Sequence, residues 1–173
     1  GMLLARRSFS ASQVINTVAR ATSELAGQRC GALIVLEGAT GLQDFADTGV
    51  TLDAQLSADL LLAIFFKNAA LHDGAVIVRE DRIAAATCML PLSENLTLGR
   101  ELGTRHRAAL GVTEGTDAIA VVVSEETGAI SVAHNGRLVR RLDEGELNRL
   151  LRRLYQPAEN SQRWRRRNGA EKK

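Results

Sequence analysis

The sequence predicts a single α/β domain, with one mixed central sheet of about seven strands flanked by about five helices. Three observations predict it. Apolar runs of strand length at residues 31–37, 74–79 and 118–124 suit strands covered on both faces. Amphipathic segments that begin on capping residues alternate with them. The chain shows no internal repeat, and its 173 residues are near the size of one domain, in which folding buries roughly 70% of the extended-chain surface.

In order along the chain, Ser10 with Gln13 makes a capping-box start. Val14, Val18, Ala21 and Leu25 then share one helical face until Gly27 stops the helix. Residues 31–37 follow as a central strand. After a turn over residues 38–41, residues 43–48 read as a short strand, and residues 56–70 as a helix apolar on nearly all sides, suited to the core or an interface. Residues 74–79 and 82–90 read as strands joined by Glu80-Asp81 in a tight hairpin, the second ended by Pro91. Thr104 is the expected cap of a short helix through about Leu110, stopped by Gly111. Residues 118–124 form a further strand, and residues 129–134 and 137–142 flank Asn135-Gly136, the strongest hairpin signal in the chain. Asp143 with Glu146 caps a last helix in which Leu147, Leu150, Leu151 and Leu154 recur at helical spacing, ending before Pro157.

Composition narrows the function. Apolar residues make up 45% and charged residues 24%, as in ordinary soluble proteins, and an aromatic content of 3% leaves little for the stacking platforms of single-strand nucleic-acid binders. The pI of 8.8 arises at the end of the chain: residues 161–173 carry six Arg or Lys against Glu171, and the rest is mildly acidic. No nucleic-acid partner is expected from that distribution, and residues 156–173 read as a basic, disordered tail. Cys30 and Cys88 lack any C-x-x-C or His partner spacing and read as buried reduced thiols. The longest apolar run, residues 60–66, is far short of the roughly 18 needed to span a bilayer. Gly1 before Met2 suggests that residues 1–11 are a leftover or linker segment, with the domain over 12–155.

Three segments carry candidate chemistry. In Leu71-His72-Asp73-Gly74-Ala75 a helix hands over to a strand, and a His, an Asp and a permissive Gly at a strand mouth suit a metal-phosphate site, although Asp-Gly is also an ordinary turn pair. In Gly103-Thr104-Arg105-His106-Arg107, free backbone N–H groups, a hydroxyl and guanidinium groups at a helix start suit a polyphosphate; a solvated basic turn is the alternative. Ser124-Glu125-Glu126-Thr127-Gly128 ends a buried strand with a hydroxyl and carboxylates, and by itself is equally a polar turn.

Taken together, in this order, with Gly31-Ala-Leu-Ile-Val ahead of them and Leu90-Pro91-Leu92-Ser93 between the first two, these segments resemble the catalytic domain of the diadenylate cyclases. The Asp-Gly-Ala motif falls on Asp73, Gly74 and Ala75, and the Arg-His-Arg motif on Arg105, His106 and Arg107. The wording is similar to the class whose catalytic domain follows N-terminal membrane helices, which implies a cytoplasmic domain at the inner face of the membrane. Where the family has a Pro-Asn-Thr-Pro-like approach to the His-Asp-Gly motif, this chain has Lys67-Asn-Ala-Ala70.

The resemblance implies that each subunit of a face-to-face homodimer holds one ATP and that two ATP molecules condense to cyclic di-AMP with release of two pyrophosphates. It further implies Mg²⁺ or Mn²⁺, with Asp73, His72 and Glu126 as candidate ligands. Asp73, Arg105 and His106 would be catalytic. Gly74, Ala75, Met89, Leu90, Thr104, Arg105, His106 and Ser124 would contact the substrate, Met89 and Leu90 at the adenine and Ser124 at a phosphate. Arg107 reads instead as structural, since residues i and i+2 do not share a helix face. Two rival readings remain at this point: a nucleotide sensor without chemistry, and a partner-binding module docking through residues 56–70.

Overall fold

The structure, a computed structural model, describes residues 9–95, 99, 102–155 and 157. Residues 1–8 and the basic segment 158–173 lie outside the described residues. Among the described residues, seven strands form one sheet: β1 (Ala32–Leu36), β2 (Val50–Gln55), β3 (Ala75–Arg79), β4 (Arg82–Cys88), β5 (Ile119–Val123), β6 (Ile130–His134) and β7 (Arg137–Leu142). Their order across the sheet is β2-β4-β3-β1-β5-β6-β7. β1 and β3 run parallel, and every other neighbouring pair is antiparallel. Five helices, α1 (Ala11–Gly27), α2 (Gln43–Ala46), α3 (Ala58–Phe65), α4 (Thr104–Gly115) and α5 (Glu144–Leu154), cover its two faces.

The unbroken apolar runs are explained by a core on each side of the sheet. In β1, Ala32, Ile34 and Leu36 pack with α1, α3 and α5, while Leu33 and Val35 pack with α2 and α4. In β5 the same alternation sends Ile119, Val121 and Val123 one way and Ala120 and Val122 the other. Truncating a large side chain on either side, such as Leu110 or Leu61, would cost about 2–5 kcal/mol, because the neighbours close only partly over the gap.

Local signals fix the element ends. The Ser10 hydroxyl accepts the Gln13 N–H at 3.2 Å to start α1. Asp143 and Glu146 complete a reciprocal capping box at α5, with Asp143 Oδ1 accepting the Glu146 N–H at 2.8 Å. Asn135 and Gly136 both have positive φ, 51° and 73°, as a two-residue hairpin turn of the type that matches strand twist requires. Arg152 donates to Asn16 and Ser12, tying α5 to α1.

Three elements depart from the sequence reading. Residues 43–48 are not a strand: Gln43–Ala46 is the short helix α2, and the second strand lies later, at Val50–Gln55. Glu37 decides this locally, since its carboxylate accepts the Leu42 N–H at 2.9 Å and pairs with Arg79, which also donates to Gln43. The helix expected over residues 56–70 spans only Ala58–Phe65 and gives way to a loop in which Asn68 takes φ +65°. The helix expected to stop at Gly111 continues to Gly115, and its cap is Gly103 rather than Thr104. Gly111 is there for space: a Cβ would lie 1.7 Å from the Pro91 carbonyl oxygen, so the residue lets the chain after β4 lie against α4.

Candidate active site

The sheet has a cleft at one end, of about 810 Å³, within the usual range for small-molecule sites of roughly 300–1,000 Å³. The parallel pair contributes strand beginnings, at Leu33 and Gly74, whereas the antiparallel neighbours β4 and β5 contribute strand ends, at Cys88 and Val123. Loops leaving β4 and β5 therefore meet the loop entering β3 and the mouth of α4. Three walls result.

The first wall is the turn into β3. The His72 Nδ1 lies 2.6 Å from the Ala69 carbonyl oxygen, which can only accept, so Nδ1 carries the hydrogen. Nε2 then faces Asp73 Oδ1 at 3.3 Å, and two lone-pair atoms at that distance suit a cation between them. Asp73 is 86% exposed, so its carboxylate is available to a ligand. Gly74 has φ +80° and packs against Thr87 and Cys88, where a Cβ would fall 2.8 Å from the Thr87 carbonyl carbon.

The second wall is the end of β4. Its pairing with β3 carries a bulge, since Ala75 opposes Cys88 while Ile77 opposes Ala85, and Thr87 takes φ +55°, a strained value for a β-branched residue. The bulge re-aims the chain so that Met89, 74% exposed, and Leu90 line the cleft. Beyond them the chain is strapped to α4: Ser93 N–H donates to the Arg107 carbonyl at 2.9 Å, and the Ser93 hydroxyl to Glu114.

The third wall is the start of α4 with the β5 end. Among the described residues, no side chain caps this helix, and no acidic residue occupies its first turn, so free N–H groups and the positive end of the dipole face the cleft. The Arg105 guanidinium lies over Gly31, within 2.5 Å of where a Cβ would be, and donates to Glu125 at 3.3 Å. Its Nε is buried without a hydrogen-bond partner among the described residues. A guanidinium with unused donors beside a helix start is prepared for an anion. His106 is 8% exposed, and burial, then Arg140 and Arg105, push its imidazole below the usual histidine range. Burial pushes the Cys88 thiol up to about 11, which keeps it protonated in the cleft floor.

Of the residues singled out from sequence, His72, Asp73, Gly74, Met89, Leu90, Thr104, Arg105, His106, Ser124 and Glu126 all line this one cleft. Ala75 does not; it is fully buried in β3 opposite Cys88. Arg107 is likewise absent from the lining, and its carbonyl serves the strap to Ser93. Sequence reasoning missed Glu125 as the partner of Arg105, although it lies within a segment already singled out, and missed the apolar lining residues Leu92 and Leu102. Among the described residues, no group of three or more His, Cys, Asp or Glu side chains is placed to hold a metal, so His72, Asp73 and Glu126 do not form a ready-made ligand set.

Known proteins share both sequence and fold with this chain. Residues 19–138 match the DAC family model, described as the nucleotide-binding domain of the DisA bacterial checkpoint controller. The chain is 49% identical over 139 residues to the cyclic di-AMP synthase CdaA of Bacillus subtilis, covering 80% of this chain and 51% of that protein. A crystal structure of a double mutant of DacA from Staphylococcus aureus superposes with a TM-score of 0.80 at 45% identity, over 83% of this chain and 95% of that one. A Bacillus cereus structure, described as a hypothetical membrane spanning protein, gives a TM-score of 0.72 at 42% identity, over 79% of this chain and 66% of the other. The chain spans about half the length of the curated relatives it matches. Among the described residues, no helix is long and apolar enough to cross a membrane. With the motif segments gathered in one cleft and more than half the chain matched, this protein belongs to the diadenylate cyclase domain family.

Proposed function

We propose that the chain condenses two ATP molecules into cyclic di-AMP, releasing two pyrophosphates. The observation that carries this reading is the meeting, in one cleft, of the exposed acid His72-Asp73 rim with the cationic start of α4. The triphosphate lies along Thr104, Arg105 and the free N–H groups of α4, with Ser124 on a phosphate oxygen. The base enters the slot beside Met89 and Leu90. Each ribose 3′-hydroxyl attacks the α-phosphorus of the ATP held by a second copy: a new P–O bond forms, the bond to the β-phosphate oxygen breaks, and Asp73 receives the hydroxyl proton. Two cyclising attacks need two nucleotides face to face, so the working unit is a homodimer.

Two polyphosphates in one cleft repel strongly, and the arginines offset part of that charge. A divalent cation, Mg²⁺ or Mn²⁺, would offset more and polarise the phosphate oxygens. His72 and Asp73 suit it as two donors, because the Nε2–Oδ1 approach is relieved by a cation, and phosphate oxygens and water would complete the shell, as is usual for magnesium. Glu126, on the same cleft, is the further candidate ligand. Most of the rate enhancement then comes from positioning and electrostatics. In the parent protein the domain sits at the inner face of the membrane, a reading supported by the description of the Bacillus cereus relative.

Mass spectrometry of the product from ATP with Mn²⁺ or Mg²⁺, with pyrophosphate measured in parallel, tests this directly. Cyclic di-AMP with two pyrophosphates per product is expected. Saturable ATP binding with neither product would establish a sensor instead.

A further inference from the structure

The nucleobase wall at Met89 and Leu90 extends past the end of β4, where the sheet no longer holds it. β2 pairs with β4 only as far as Val50 opposite Ala86, and beyond that point the chain of β2 has already turned into the α2 connection. A side chain takes over there. The Met89 N–H donates to Thr48 Oγ1 at 2.8 Å, and the Thr48 hydroxyl donates onward to the Phe45 carbonyl at 2.6 Å. One hydroxyl thus bonds the cleft wall on one side and the end of α2 on the other. We propose that Thr48 is a positioning residue for base recognition, its hydroxyl standing in for the missing strand and fixing the Met89–Leu90 backbone against which the base is read. This rests on the reading of the cleft as an ATP site.

The surroundings show that this register is built. Gly49 lets the α2 turn press onto β4, since a Cβ there would lie 2.1 Å from the Ala86 carbonyl oxygen and 2.8 Å from Cys88 Sγ. Directly after Ala86 comes the Thr87 bulge, braced from the other side by Gly74. The strained residue, the close glycine and the hydroxyl bridge therefore act on the same three-residue stretch that delivers Met89 to the cleft. Leu90 itself makes no backbone hydrogen bond to another described residue, which leaves its N–H and C=O for a ligand. Thr48 is exposed and makes no contribution to either core, so its role is local alignment rather than general stability.

Thr48→Val keeps the shape and removes both hydrogen bonds, whereas Thr48→Ser keeps the hydroxyl. The dissociation constant for ATP is measured by calorimetry, together with KM and kcat for cyclic di-AMP formation and the thermal midpoint. Thr48→Val should weaken ATP binding and raise KM about tenfold, with kcat within about twofold and the midpoint nearly unchanged. Thr48→Ser should restore wild-type binding. Equal ATP affinity in wild type and Thr48→Val overturns the proposal, as does a parallel loss of kcat and thermal midpoint that serine does not rescue. If wild type binds ATP but makes no product, the cyclase reading fails and the binding comparison alone decides the role of Thr48; absence of ATP binding in wild type overturns both.

Discussion

On one side of the cleft Asp73 projects into solvent beside His72, with no strand or helix among the described residues closing over it. On the adjoining wall Met89 and Leu90 are fastened at both ends, by Thr48 ahead of them and by the Pro91–Ser93 strap on α4 behind. The acidic rim is left open to the cleft, as the proposed cation and second nucleotide require. The Met89–Leu90 wall is fastened without any ligand, so it offers preorganisation rather than charge. Changes on the two sides should consequently separate turnover from binding.

The largest separation is expected at the rim. Asp73→Asn removes the charge and the proposed proton acceptor with little change of shape, so turnover should fall roughly 10²–10⁴-fold while ATP affinity stays within a few-fold. Parallel loss of both, followed by calorimetry and product formation, would show that Asp73 only supports the fold. The wall and the helix mouth can then be compared through two glycines. Gly111→Ala puts a methyl group against backbone, the Pro91 carbonyl, and should cost about 1–3 kcal/mol of stability together with ATP affinity. Gly31→Ala meets only the far end of a flexible side chain, the Arg105 guanidinium, so it should leave the thermal midpoint nearly unchanged while weakening ATP binding about tenfold. Equal midpoints for the two variants would refute the strap.

The smallest expected effect concerns His106, buried in the first turn of α4 and kept below the usual histidine range by burial, Arg140 and Arg105. The unfolded chain binds the proton more readily than the folded one, so stability is full above about pH 6.5 and declines as pH falls from there through the folded value. His106→Gln should flatten that slope in thermal melts between pH 7.5 and 5. An unaltered slope would assign the acid sensitivity to other groups.

The sequence spoke most clearly where one residue has one structural use. Ser10 and Asp143 cap helices, Asn135-Gly136 turns a hairpin, and the doubly covered strands read as unbroken apolar runs, because each signal is local and has few other structural uses. It was misleading where a distant partner decides. Gln43–Ala46 is helical because Glu37 and Arg79 reach over to it, and Gly111 reads as a stop until Pro91 is seen pressing on it. The β2 strand was missed for the opposite reason: Val50–Gln55 is a half-exposed edge with a bulge, so burial leaves a faint pattern. At the site, motif wording found the residues that touch the cleft but not those that hold them. Thr48, Gly31 and Glu125 act through contacts with residues far along the chain.

The central strand has a kinetic consequence. β1 is joined to β3 at Ile34–Val76 and to β5 at Ile34–Val121, so both of its ladders close long stretches of chain. Such closures carry a large entropic cost before any pairing rewards them, which slows folding. The cleft draws its lining from Leu33 through Glu126 and cannot exist until both have closed. A polypeptide released before β5 is made would therefore have no nucleotide site, and nucleotide bound afterwards would favour the finished sheet over every partly zipped form.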